Sequence, residues 1–581
     1  MAASRKSNTP KRERADYHLD EDFSIMYQLY SPSESELGIY NYAAVSTDAA
    51  PCAQVGNYIF MKIRDILMRN GSAVEAAIAT LICMGVVNCH SMGLGGGFFM
   101  TIYDKKNKKV RILDARETAP AGAKEDMFKN NSKNAKVGGL AVAIPGELLG
   151  YQIAYNEYCK SFSWRNLFLP SIELCRKGFP VTPHMAMALR LNRDIILKEQ
   201  CLRDVFVNRR TGDIYREGEI MTRLDLAITL EEVSKRGAGA LYGEGNMRKR
   251  FVEDIRTFGG IITEEDLQNY STVWREPTRT TLRNNYTVYS VPPPGSGSVL
   301  SYILNVLDGF NLNSDSNWRT LDDISLTFHR VTEIFKYAYA QKMNLEDSED
   351  PSVLQTVQKL LSKGFADETR ARIKNNKISH NPEYYGLRFR KSEDGGTAHL
   401  SVIAPNGDAV SVTSTVNLYL GCKRVSPSTG ILLNNQMYDF SYSRSYEINE
   451  RNRIKPGRRP MSSMSPTIIL DDKGEVWLVI GGNGGSLIIT GIALVTMQLL
   501  WLQKNVKEAI DMPKIHHQLF PDSICYESRF PKAILKRLKM LGHKANERYH
   551  TLSIIMAIHR HKNGKLYANA DYRKNGKTDG F

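Results

Sequence analysis

The chain has 581 residues, of which 42% are hydrophobic and 24% charged, and its formal net charge is +15. This composition is ordinary for a globular protein and sets aside collagen-like, low-complexity and wholly disordered classes. Lys and Arg are scattered, without a dense run or an aromatic–basic motif. The charge therefore reads as a solvated basic surface that can attract small anions, and no nucleic-acid partner is indicated.

Residues 1–40, beginning MAASRKSNTPKRERADYHLDED, hold no apolar run. No signal peptide or anchor helix is read there, and a disordered tail is expected. No Pro/Gly/Ser-rich linker or internal repeat divides the remainder, which favours one large lobed domain over several. Ser72 to Val87 (SAVEAAIATLICMGVV) reads as a packed core helix, too short for a membrane span. The stretch His90 to Phe99 (HSMGLGGGFF) lacks both P-loop spacing and the Lys-Ser/Thr of a nucleotide site. Strands are expected over Phe98 to Tyr103 and Lys109 to Asp114, ending in Ala115-Arg116-Glu117-Thr118-Ala119-Pro120. Arg116 reads either as a surface ion-pair partner or as a guanidinium presented into a cleft, where it would grip a carboxylate.

From about Glu147 to Lys377 the pattern is mostly helical, as in Leu226 to Arg236 and Thr327 to Lys342, and no catalytic residue is assigned to it. Pro292 to Ser298 (PPPGSGS) reads as a structural turn before a helix. His329 and the pair His516-His517 have no partners at metal-ligand spacing, and the eight cysteines form no C-x-x-C. No metal and no cofactor is expected. Sequons at Asn70, Asn130, Asn269 and Asn285 leave the compartment open.

The stretch Ser392 to Phe440 carries the chemistry. Gly395-Gly396-Thr397 runs into two β-branched segments, His399 to Ala404 and Ala409 to Thr415, separated by Pro405-Asn406-Gly407-Asp408. Asn-Gly is a strong hairpin signal, so Thr397 stands at the head of a hairpin. A threonine hydroxyl becomes a competent nucleophile when an N-terminal α-amine serves as its base, and such amines titrate near about pH 8. Thr397 is internal, so it can act this way only if the Gly396–Thr397 bond is cut. The alternative is a plain turn entering a strand. Thr415, Asn417, Gln436, Asp439, Ser462 and Ser463 follow as polar residues without an obvious packing duty. Val479 to Ser486 (VIGGNGGS) leaves a strand and enters an apolar run, Leu487 to Leu502, read as a buried helix. Backbone N–H groups at such a turn can hold an oxyanion.

The strings GGTAHLSVIAPNG, TSTVNLYLG, SPSTGILLNNQMYDF, RRPMSSMSPTIIL and VIGGNGG, preceded by ARETAP, closely resemble the γ-glutamyltransferases, or glutathione hydrolases, of the N-terminal-nucleophile hydrolase superfamily. The resemblance runs from about Ala43 to the C-terminal RKNGKTDGF. It implies an α+β fold, a four-layer αββα sandwich, and self-cleavage between Gly396 and Thr397. Behind the 1–40 tail, a large subunit (41–396) and a small subunit (397–581) would stay together as a heterodimer. Thr397 would be the nucleophile, Thr415 its orienting neighbour, and Gly484 and Gly485 the oxyanion hole. Arg116, Ser462 and Ser463 would hold the substrate α-carboxylate, and Asp439, Asn417 and Gln436 its α-amine. Some relatives have Glu where this chain has Gln436.

The implied reaction passes the γ-glutamyl group of glutathione, or of another γ-glutamyl amide, to water, an amino acid or a dipeptide, without a cofactor. Two rivals are a non-catalytic binding protein that kept the fold, and a related acylase or peptide-polymer transpeptidase. Relatives usually lie outside the cell or on the outer face of the plasma membrane, often behind an N-terminal anchor that residues 1–40 do not show. Cys52 and Cys83 are similar to a pair that is bridged in animal relatives, and Cys201 lies where a second bridge can occur.

Overall fold

The computed structural model describes residues 24–53, 63–386, 396–441, 451–548 and 551–581. Gly395, the first glycine of the expected cleavage motif, lies outside them. A helix over 24–30 (α1) leads to β1 (Gly38–Tyr40) and β2 (Ala44–Thr47). Ile25 and Leu29 of α1 are buried, and Ser33 bonds Asp511 through its N–H (2.9 Å) and its hydroxyl (2.7 Å). Residues 24–40, expected to be disordered, are thus ordered against the body. Two apolar anchors on one short helix leave too weak a periodic signal to read from sequence.

Helix α2 (Ala73–Val87) starts at a capping box between Ser72 and Glu75. In chain order there follow β3 (Gly97–Asp104), β4 (Lys109–Ala115), α3 (Glu147–Tyr158), α4 (Pro183–Leu191), β5 (Val273–Arg275), β6 (Thr278–Thr281) and β7 (Thr287–Ser290). Next come α5 (Gly297–Asp308), α6 (Leu321–Lys342), β8 (Ala398–Ile403), β9 (Ala409–Thr415), β10 (Thr467–Leu470), β11 (Val476–Asn483) and α7 (Leu487–Leu500). The chain ends with β12 (Ile554–Arg560), β13 (Leu566–Ala570) and β14 (Lys577–Gly580).

The strands build two antiparallel seven-stranded sheets. One runs β1-β13-β12-β11-β10-β7-β6, the other β14-β2-β8-β9-β3-β4-β5. Period-2 alternation sorts the central hairpin. Leu400 and Val402 of β8 join an apolar cluster with Ile78 and Ile82 of α2. His399 and Ser401 point the other way. Between the sheets, Ser411 donates to the Ile480 carbonyl (3.0 Å) and Thr101 to that of Pro466 (2.8 Å). Buried hydroxyls at this seam therefore have partners, as burial demands. The first sheet turns Ile469, Leu478 and Ile480 toward a second cluster with α5, α6 and α7.

Cys52 and Cys83 form a disulfide, tying the segment after β2 to α2, whereas Cys201 is a free thiol. The four sequon asparagines, Asn70, Asn130, Asn269 and Asn285, are all exposed. No helix among the described residues is long and apolar enough to cross a membrane.

Candidate active site

Thr397 stands one residue ahead of the first paired residue of the hairpin, Ala398, and is almost fully buried. Its hydroxyl donates to the Gly396 carbonyl at 2.5 Å. Thr415, the last residue of β9, donates to the same carbonyl at 2.7 Å and lies 3.4 Å from Thr397 Oγ1. The carbonyl of the bond expected to break thus faces two hydroxyls. Gly396 has φ +124°, and a Cβ there would stand 2.4 Å from the Asn417 carbonyl oxygen, so no side chain fits. Gly484 (φ +120°) and Gly485 (φ +61°) make the turn from β11 into α7, a backbone path that likewise suits glycine.

A second group of residues gathers around Arg116. Its guanidinium is fully buried, pairs with Asp439 at 2.8 Å and reaches the Pro460 carbonyl at 3.2 Å. Gln436 donates to the same Asp439 oxygen at 2.6 Å. Arg116 Nη1 and Gln436 Oε1 are buried without a hydrogen-bond partner among the described residues. One is a donor and the other an acceptor, which are the groups that a carboxylate and an ammonium require. The two groups are linked. Asn417 donates its N–H to Thr415 Oγ1 (2.8 Å) and its side-chain amide to the Asn435 carbonyl (3.1 Å), one residue before Gln436.

Ser462 follows Met461, whose carbonyl lies 3.4 Å from Arg116 Nη2. The Pro292 to Ser298 turn does more than start α5. Ser462 donates its N–H to the Pro294 carbonyl (2.8 Å), and Ser296 donates to the Ser462 carbonyl (2.5 Å). The structure thus sets Thr415 and Asn417 beside Thr397, and Asp439, Gln436 and the segment that carries Ser462 beside Arg116.

The sequence profile of the family described as Gamma-glutamyltranspeptidase matches residues 53–581. The chain belongs to this family. It is 44% identical to Scoloptoxin SSD14 of Scolopendra dehaani over 94% of each chain. It is 36% identical to Glutathione hydrolase 5 proenzyme of Mus musculus over 96% of each. Among solved structures, the cephalosporin acylase from Bacillus halodurans matches with a TM-score of 0.79 and 25% identity, covering 95% of this chain and 98% of that one.

Several side chains at the site were not found from sequence. The helical stretch that was assigned no catalytic residue does reach it: Lys342, at the end of α6, donates to Ser463 Oγ, and Tyr339 donates to the Ser486 carbonyl beside the Gly484–Gly485 turn. His184 of α4 sits between His90 (2.9 Å) and the Tyr419 hydroxyl (3.1 Å), and burial holds both imidazoles well below their ordinary pKa. Behind Thr397, Lys574 donates to the Thr397 carbonyl (2.8 Å) and pairs with Asp48 (2.7 Å). The clue available for Lys574 is its place in the C-terminal RKNGKTDGF string.

Two further carboxyls, Glu117 and Glu147, are fully buried. Glu117, beside Arg116 at 3.6 Å, is pushed up to about 7 by burial, against the pull of Arg116. Glu147 is pushed up to about 8 by burial and accepts from Ser414 (2.8 and 2.9 Å) and Tyr151 (2.5 Å). The histidines read as structural behave as such: His329 bonds His543 and the Lys374 carbonyl, and His516 bonds Thr490.

Proposed function

We infer that this chain is a self-processing γ-glutamyltransferase and glutathione hydrolase. The observation that carries the reading is the Gly396 carbonyl, which accepts from the hydroxyls of both Thr397 and Thr415. Attack by Thr397 Oγ1 on this carbon places negative charge on an oxygen that Thr415 already contacts, a donor of the kind that stabilises such an oxyanion. The Oγ1 proton passes to the Thr397 nitrogen as the C–N bond breaks, which leaves Gly396 as an ester on Oγ1 and frees the Thr397 amine. Water then releases the Gly396 carboxylate. The single cut gives two fragments, residues 1–396, which hold the large subunit 41–396, and the small subunit 397–581. The layered arrangement is the αββα sandwich, supported by two facing sheets with helices over each.

In the mature enzyme the Thr397 amine takes the proton of Oγ1 as it attacks the γ-carbonyl of glutathione or another γ-glutamyl amide. The leaving amine departs with a proton, and the γ-glutamyl ester passes to water or to an amino acid or dipeptide amine. Gly484 and Gly485 would hold the oxyanion with backbone N–H groups at the start of α7. Arg116, Ser462 and Ser463 would receive the α-carboxylate, and Asp439, Asn417 and Gln436 the α-ammonium. The buried Arg116–Asp439 pair supports this, since a zwitterion supplies each with the opposite charge in place of the other.

The test is hydrolysis of γ-glutamyl-p-nitroanilide by the processed protein, with and without glycylglycine as acceptor. Turnover that rises with acceptor shows both activities. An acylase acting on another acyl group shares the nucleophile but has no use for the Arg116–Asp439 arrangement. Hydrolysis of a cephalosporin side chain without γ-glutamyl turnover would favour it.

A further inference from the structure

Four elements end at one place behind the nucleophile. Asp48 follows β2, Asn88 follows α2, Asn483 closes β11, and Lys574 lies in the turn between β13 and β14. Asp48 is the hub. Its Oδ2 accepts from Lys574 (2.7 Å) and Asn483 (2.8 Å), and its Oδ1 accepts from Asn88 (3.1 Å). Lys574 spends another donor on the Thr397 carbonyl at 2.8 Å. Asp48 and Lys574 are both almost completely buried. Asn483 immediately precedes Gly484. Two residues, Asp48 and Lys574, therefore connect the nucleophile on one sheet with the glycine turn on the other.

We propose that Asp48 and Lys574 are positioning residues for the reaction at Thr397, fixing the nucleophile and the Gly484–Gly485 turn in one rigid unit. The inference rests on the function proposed above. A buried ion pair contributes little net stability compared with apolar residues of similar size, so its specificity is the more telling property. Thr397 lies beyond the paired part of β8. When its bond to Gly396 is cut, one covalent tether is lost, and the Lys574 contact to its carbonyl remains. That contact keeps Oγ1 at a set distance from the turn while the acyl ester forms and breaks.

The test compares wild type, K574M, K574R, D48N and the double variant D48N/K574M. The double variant removes both charges, so no unpaired charge is left buried. Self-cleavage is followed by intact mass, folding by thermal melting, and turnover with γ-glutamyl-p-nitroanilide. Misplacement by about 1 Å can cost about 10²-fold in rate. The expected result is a folded double variant whose kcat falls by about that factor while KM stays within about twofold, because the groups that grip the glutamyl head are untouched. K574R, which keeps a cation with several donors, recovers most of the loss.

A folded double variant with kcat within about threefold of wild type overturns the proposal, as does a loss carried mainly by KM. A folded variant that stays whole supports it if K574R cleaves, and contradicts it if K574R also stays whole. A wild type that neither cleaves itself nor turns over substrate overturns the proposed function and this inference with it. An active wild type beside an equally active double variant overturns this inference alone.

Discussion

The groups that meet the scissile Gly396 carbonyl are two hydroxyls set by the ends of β8 and β9, with the Asp48–Lys574 ion pair behind them on the Thr397 carbonyl, whereas around Arg116 the charges themselves face the site from loops between strands. In the proposed reaction the first region has to hold one atom against one carbon, and hydrogen-bonded neutral groups do this at a smaller desolvation cost than charges. In the proposed function the second would recognise both ends of an amino acid, which calls for buried opposite charges. These charges neutralise each other across 2.8 Å in the absence of substrate. The division predicts that lesions in the first region damage rate, and lesions in the second damage binding.

The largest effect is expected at Thr415. T415V keeps the shape of the side chain but removes a donor to the Gly396 carbonyl, and should slow self-cleavage by about 10²-fold, the scale of losing one oxyanion donor. A time course of fragment formation checks this. Unchanged kinetics would mean that the Thr415 contact does not act on the scissile carbonyl.

Asp439 comes next. D439A takes from buried Arg116 its hydrogen-bonded carboxylate, with only Glu117 at 3.6 Å remaining among the described residues, and in the proposed function removes an acceptor for the ammonium, at a cost of at least about 2 kcal/mol, or about 30-fold in KM. Self-cleavage should persist, since Asp439 belongs to the other region. A variant with normal KM would remove Asp439 from the recognition group. A variant that fails to cleave although folded would blur the division itself.

The third effect is on stability rather than on activity and comes from Glu147. Its folded pKa, about 8, lies above the ordinary 4.5 because burial disfavours the charged form. The folded protein keeps a proton that the unfolded chain releases. This contribution to stability is fully present below about pH 4.5, and it is lost as pH rises to about 8. E147Q can still bond Ser414 and Tyr151, and its melting temperature should fall less than that of wild type between pH 5 and pH 8. Parallel melting curves across this range would show that Glu147 does not titrate there.

Much of this division could be read from the sequence. The β8–β9 hairpin was visible in its alternating β-branched residues and the Asn406-Gly407 turn, and its strand limits agree with the expected ones to within a residue. Arg116 was marked by its place just after a strand. The supporting side chains left no such mark. Asp48 and Lys574 are 526 positions apart, and neither is distinguishable by local pattern from any other charged residue near a strand end. Lys342 ends a helix whose periodicity describes packing, and says nothing about the serine its amine reaches. Local pattern carried the hairpin and left Thr397 equally readable as part of a plain turn, family resemblance carried the expected nucleophile and recognition residues, and only the folded chain showed what ties Thr397 to the Gly484–Gly485 turn.

The central claim is that Thr397 becomes an N-terminal nucleophile by cutting its own bond to Gly396. The most direct measurement is the intact mass of the purified protein beside T397A. Wild type is expected to give two fragments, the smaller being residues 397–581 with Thr397 at its N-terminus, and the variant an uncut chain. A folded wild type that stays whole, or a T397A variant cut at the same bond, would contradict it.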